Sequence, residues 1–200
     1  MFIPRHSVVE NQFCQFNATV SGAAILGAGN VLAYAGSACY LDDTALQFDA
    51  IVKIYVANES KPCFGFLMQK VKTGYTSIHP AGFMMPGDLG SSDVIAQPSY
   101  DANGRINGSK AAPVGVAHLG IWDTIHYAGS GALVAGTPLF VRQASLSELC
   151  DTGLTKNTGT TPFMGATGIL AYVNKGASAA QVTANMANTT LYPIRVKLLV

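Results

Sequence analysis

Charge is what this sequence has least of. Asp, Glu, Lys and Arg make up 12% of its 200 residues, about half the usual share, and the mean hydropathy is +0.29. A compact monomer of 20.9 kDa exposes roughly 9,000 Å², so its 12 basic and 11 acidic residues would stand at about one per 400 Å². Cover that thin implies that part of the exterior is hidden in an assembly. A net charge of +1 also leaves no basic field to hold phosphates, so no nucleic-acid partner is expected.

Other absences exclude chemistry. The cysteines, Cys14, Cys39, Cys63 and Cys150, form no CxxC pair, and four scattered thiols read as buried and reduced. The most membrane-like stretch, 22–38, is broken by Asn30, Ser37 and four glycines, so no membrane span is expected. Pro4, Arg5 and His6 interrupt the first apolar residues before they reach the length of a signal sequence. There is no GxxxxGK[ST] or GxSxG, and the Gly27-Ala-Gly29 pair lacks the third glycine of a dinucleotide loop, where Leu32 stands. No cofactor and no catalytic residue are assigned.

Two weaker constellations remain. His118, Asp123 and His126 are of the types that bind zinc or move protons, but no HExxH spacing accompanies them. With two strands set around Ile121-Trp122, nothing brings both imidazoles to one face, and they read as residues of a turn or interface. No metal site is assigned. Asp42 and Asp43 adjoin, so in a strand they point to opposite faces, and a solvated turn accounts for them.

What the sequence does have is punctuation. Its 21 Gly and 9 Pro break short apolar runs every ten residues or so, the rhythm of an all-β chain. Strands are expected at 12–21, 31–34, 38–41, 51–57, 64–71, 114–119, 124–127, 138–141, 168–173 and 194–200. The last is the clearest, with Ile194, Val196, Leu198 and Val200 alternating against Arg195 and Lys197. One short helix is expected at 179–186, where Ser178 and Gln181 have the spacing of a capping box. The fold class is therefore all-β, a small β-barrel or β-sandwich with a long loop excursion and at most one short helix. The excursion is 73–112, with Pro80, Pro86, Pro98 and two turn-like pairs, Asn103-Gly104 and Asn107-Gly108.

The organisation expected is an arm, 1–10, followed by one β-rich domain, 11–200. An internal echo divides the domain into halves of about 11–110 and 111–200. Ala35-Gly-Ser-Ala-Cys-Tyr-Leu41 returns as Ala135-Gly-Thr-Pro-Leu-Phe-Val141, and Pro62-Cys-Phe-Gly65 as Pro162-Phe-Met-Gly165, both at an offset of 100 residues. In the arm, Pro4 argues against a central strand, and Phe2, Ile3 and Arg5 suit an anchor laid across a neighbour. Phe83, Met84 and Met85 in the excursion complete the candidate interface residues.

The Ala135–Val141 segment, the Pro62 and Pro162 strands, Gly168-Ile-Leu170 and the low-charge Ala/Gly/Thr-rich composition together resemble the small head decoration (cement) proteins of tailed bacteriophages. The resemblance implies a β-barrel or sandwich without a catalytic site. Such a protein is made in the host cytoplasm and placed on the outer capsid surface of the virion, commonly as a homotrimer bridging major capsid protein subunits. The alternative is a glycan- or receptor-binding β domain of a virion fibre or tail, for which Tyr75, Phe83, Tyr100 and Trp122 are the candidate groove aromatics. An enzyme built on His118 and His126 is the third reading.

Overall fold

Alternation of apolar and polar residues over short runs gives strands that bury one face each, and such strands must close on themselves or stack. In the computed structural model they close. It describes residues 2–5, 10–21, 31–42, 50–55, 61–72, 93–96, 98–104, 106–142, 147–151 and 168–199. Five strands form a hydrogen-bonded ring, β2 (Glu10–Ser21), β5 (Ile51–Ile54), β4 (Ala38–Leu41), β6 (Gly65–Leu67) and β10 (Ile106–Thr124), with β10 pairing back onto β2. The protein is all-β, a small closed barrel with one short helix among the described residues. Cys14, Phe16, Cys39, Val52, Leu67, Ala112, Val114 and Val116 fill it. Gly65 is required at the closure, because a Cβ there would lie 2.5 Å from Val116 Cγ1 and 2.7 Å from the Ala117 carbonyl oxygen.

The second half repeats the first. Strands β11 (Tyr127–Ala128), β13 (Glu148–Cys150), β12 (Pro138–Arg142), β14 (Ala171–Lys175) and β15 (Ile194–Leu199) lie in the same order as β2, β5, β4, β6 and β10. In each set the first pair is parallel and the others are antiparallel. The connecting hydrogen bonds correspond one by one. Gly36 N–H donates to Leu67 O at 2.7 Å and Gly136 N–H to Val173 O at 2.8 Å; Phe64 N–H donates to Cys39 O at 2.8 Å and Leu170 N–H to Leu139 O at 2.9 Å. Strand β15 pairs with the end of β10, which leads through Ile125 and His126 into β11, so the long β10 serves both units. Leu139, Leu149, Val173, Ile194 and Val196 are buried where Cys39, Val52, Leu67, Val114 and Val116 are in the first barrel.

The repeated turns explain how the echo works. Gly36 and Gly136 have φ of +96° and +87°, the left-handed region that glycine enters without strain, and each turns the chain into its strand, β4 or β12. The second part of the echo has no such counterpart. Residues 162–165 lie outside the described residues, and Ala171, opposite Leu139, takes the place that Gly65 has opposite Cys39. The expected division between 110 and 111 lies inside β10, where Ala111 and Ala112 pair with Asn17 and Phe16.

Several expectations are corrected. The runs at 114–119 and 124–127 are not two strands about Ile121-Trp122. β10 continues through both residues, because Gly120, with φ +116°, absorbs the bend while Gly120 stays opposite Leu198. The run at 64–71 is instead two strands, β6 and β7 (Lys70–Lys72), the latter in a separate three-stranded sheet with β3 (Val31–Ala33) and β8 (Asp93–Ile95). Part of the expected excursion is ordered sheet, β8, β9 (Pro98–Tyr100) and the first residues of β10. Among the described residues β9 pairs with β10 alone, an edge position that tolerates Pro98. Asn103-Gly104 does form the hairpin turn, with Asp101 Oδ1 accepting from Asn103 N–H at 2.9 Å, whereas Asn107-Gly108 lies within β10. Residues 73–92 lie outside the described residues.

Helix α1 (Ala179–Met186) starts where the capping box sets it. Ser178 Oγ accepts from Gln181 N–H, and Gln181 Oε1 accepts from Ser178 N–H. The helix buries Val182 and Asn185, and Asn185 Nδ2 donates to Ile125 O at 3.0 Å, tying the helix to the bend between β10 and β11.

Candidate functional site

The arm is the first surprise. Strand β1 (Phe2–Pro4) pairs antiparallel with Trp122–Thr124 of β10, which places Ile3 opposite Asp123. Phe2 is fully buried in its own chain, stacked on Trp122 with ring centroids 4.6 Å apart and 6.2 Å from Phe66. Phe2 is therefore not an anchor laid across a neighbour: its ring closes the seam between the two barrels. Pro4 is compatible with this because, among the described residues, β1 is an edge strand paired with β10 alone. Arg5 is partly exposed, and its Nε donates to Asp123 Oδ2 at 2.6 Å. Phe83, Met84 and Met85 lie outside the described residues.

The titratable trio does not converge. His118 packs its ring edge-on to Phe64, centroids 4.7 Å apart, and its buried Nε2 has no hydrogen-bond partner. Asp123 sits between Arg5 and Arg195, whose Nε donates to Oδ1 at 2.9 Å. Burial works to raise the Asp123 pKa, but the hydrogen bonds and charges of Arg195 and Arg5 outweigh it and hold the carboxyl below its usual value. His126 lies tilted against Tyr34, ring centroids 5.1 Å apart, and its Nε2 is 3.2 Å from Ser37 Oγ. Among the described residues no three His, Cys, Asp or Glu side chains are grouped to hold a metal ion, and no helix is long and apolar enough to cross a membrane.

Asp42 is not solvated as expected. Its buried carboxylate takes a salt bridge from Lys53 Nζ at 2.8 Å and a hydrogen bond from Asn17 Nδ2 at 2.9 Å, joining β2, β4 and β5 at one end of the first barrel. Asp43 lies outside the described residues. The thiols are unpaired, and burial raises Cys14 to about 11 and Cys63 and Cys150 to about 12. Trp122 is buried, with Nε1 donating to Leu119 O at 3.1 Å, which removes it from the candidate groove aromatics. Tyr75 and Phe83 lie outside the described residues; Tyr100 is in β9.

The sequence reading missed the exposed apolar positions. Phe13, Val134, Leu119, Leu199 and Leu191 all face solvent, and Leu119 and Leu199 stand opposite each other on β10 and β15. Alternation could have found two of them. Leu119 and Leu199 occupy the polar phase of their strands, with Asp123 and Lys197, where a solvated face would carry charge. No family model matches this chain, and comparison with curated proteins gives no match.

Proposed function

We propose that this chain is a non-enzymatic structural protein of a virion that binds the outer capsid surface and stabilises the shell by bridging major capsid subunits, acting as a homo-oligomer. One observation carries most of the support: a double-barrel surface poor in charge that exposes large apolar side chains at Phe13, Val134, Leu119, Leu191 and Leu199. A shell-reinforcing protein converts apolar area and shape into association energy, so such side chains are its working parts. The placement of Asp123 in an ion-pair network and of His126 against Ser37 and Tyr34 is consistent with structural duties for both. The burial of Trp122 weakens the glycan-binding alternative.

The test is addition of the purified protein to undecorated capsids. Saturable binding at a number matched to the capsid symmetry, with a raised temperature of capsid disruption, is the expected result. Absence of binding at micromolar concentration would overturn the proposal.

A further inference from the structure

The repeat gives positions on one barrel counterparts on the other, and at one face the counterparts have opposite fates. On the first barrel the turn residues 35–38 and Phe66 of β6 are covered by Phe2 of β1 and by residues of the second half. Tyr34, itself 38% exposed, is tilted against His126 with ring centroids 5.1 Å apart, and Ala38 N–H donates to Ser147 O at 2.9 Å. A Cβ on Gly36 would meet Thr124 Oγ1 at 2.8 Å and the Phe2 ring at 3.4 Å. Ala35, Ser37, Ala38 and Phe66 are all buried there.

On the second barrel the counterpart residues are exposed, and no described residue covers them. Val134 is 63% exposed, Ala135 and Gly136 are exposed, and a Cβ on Gly136 would meet nothing within 4 Å. Tyr172, the counterpart of Phe66, is 37% exposed where Phe66 is 0%. Val134, Ala135, Pro138 and Tyr172 carry no charge, so an uncharged strip runs along the face, with exposed Lys197 opposite Tyr172 at its edge where the covered twin has buried Ala117 opposite Phe66.

We infer that this face of the second barrel is the docking site for the first barrel of another copy of the chain, repeating between chains the contact made within one. The occupant follows from the repeat. Beside Phe2 and Ser147, the cover on the first barrel's face is the stretch through Thr124 and His126, and the counterpart of that stretch in the repeat is β2. β2 carries Phe13, at 67% the most exposed large apolar side chain among the described residues. The contact is heterologous, the Val134–Tyr172 face of one copy against β2 of the next, so it closes into a ring if the rotation permits and otherwise extends. It rests on the self-association part of the proposed function, and no capsid enters its test.

Sedimentation velocity at tens of micromolar, with far-ultraviolet circular dichroism as the check on folding, tests it on the wild type, Tyr172→Glu and Phe13→Glu. The wild type should sediment as an oligomer and each variant as a monomer, its self-association weakened about tenfold or more. Mixing the variants should restore one contact, because one retains Phe13 and the other retains the face. The mixture should give a one-to-one dimer and nothing larger. Should either Glu variant lose its native spectrum, Tyr172→Ser and Phe13→Ser take its place with the same readouts. A monomeric wild type, a folded variant that assembles like the wild type, or a mixture that stays monomeric would each overturn the contact. A monomeric wild type that still saturates capsids would do so while leaving the proposed function standing; solution assembly without capsid binding would do the reverse.

Discussion

Phe2 stacks on Trp122 with their ring planes 12° apart, and both side chains are fully buried. The pair joins residues 120 positions apart in sequence at the seam of the two barrels, so Phe2 belongs to the core. Phe2→Ala should cost about 3–5 kcal/mol, the usual loss for a buried phenylalanine. Deleting residues 1–6 should cost at least as much. Urea titration followed by Trp122 fluorescence measures both; an unchanged midpoint would show that the stacking contributes nothing.

The paired glycines separate backbone strain from contact across the seam. Gly36 and Gly136 both have left-handed φ, but only Gly36 is crowded. Gly136→Ala should cost about 1 kcal/mol for its backbone alone, and Gly36→Ala about 2 kcal/mol more for displacing Thr124 and Phe2. Equal losses in denaturant unfolding would mean the two turns sit in equivalent surroundings.

Asp123 sets an acid limit. Its carboxyl is held below the ordinary 3.8 in the folded chain, so its contribution is fully present above that value and is lost as pH falls through the folded value. Asp123→Asn should destabilise by about 2 kcal/mol at pH 7, and the gap to wild type should narrow as pH falls below 3.8. Unfolding free energies across that range decide it, and a constant gap would contradict the assignment.

Burial raises the thiols of Cys14 and Cys150 to about 11 and 12, so at pH 8 on the order of one in a thousand or fewer is thiolate. A thiol reagent at that pH should label them only at the rate of unfolding. Rapid stoichiometric labelling of the native protein would refute this.

The local elements were legible in the sequence where the signal was local. The capping box placed α1, alternation placed β15, and the Ala-Gly turns placed β4 and β12. What escaped depends on partners distant in sequence. Phe2 looks like an exposed anchor until Trp122 is set against it, and Asp42 looks solvated until Lys53 and Asn17 arrive from other strands. β10 looks divided at Gly120 because its continuity comes from pairing with β15. The exposed face on the second barrel was invisible for the same reason, since Ala35 and Ala135 read alike as turn residues and only packing, which buries Ala35 and leaves Ala135 exposed, tells them apart.

Whether the bare face of the second barrel receives the first barrel of another copy is most directly measured by cross-linking. Gln12→Cys and Ala135→Cys put one new thiol beside Phe13 and one beside Val134, both at exposed positions. Mixing the two variants with a short bis-maleimide, followed by peptide mass spectrometry, should yield chains joined from residue 12 of one to residue 135 of the other. Links only between like residues, 12 to 12 or 135 to 135, or no link between chains, would contradict it.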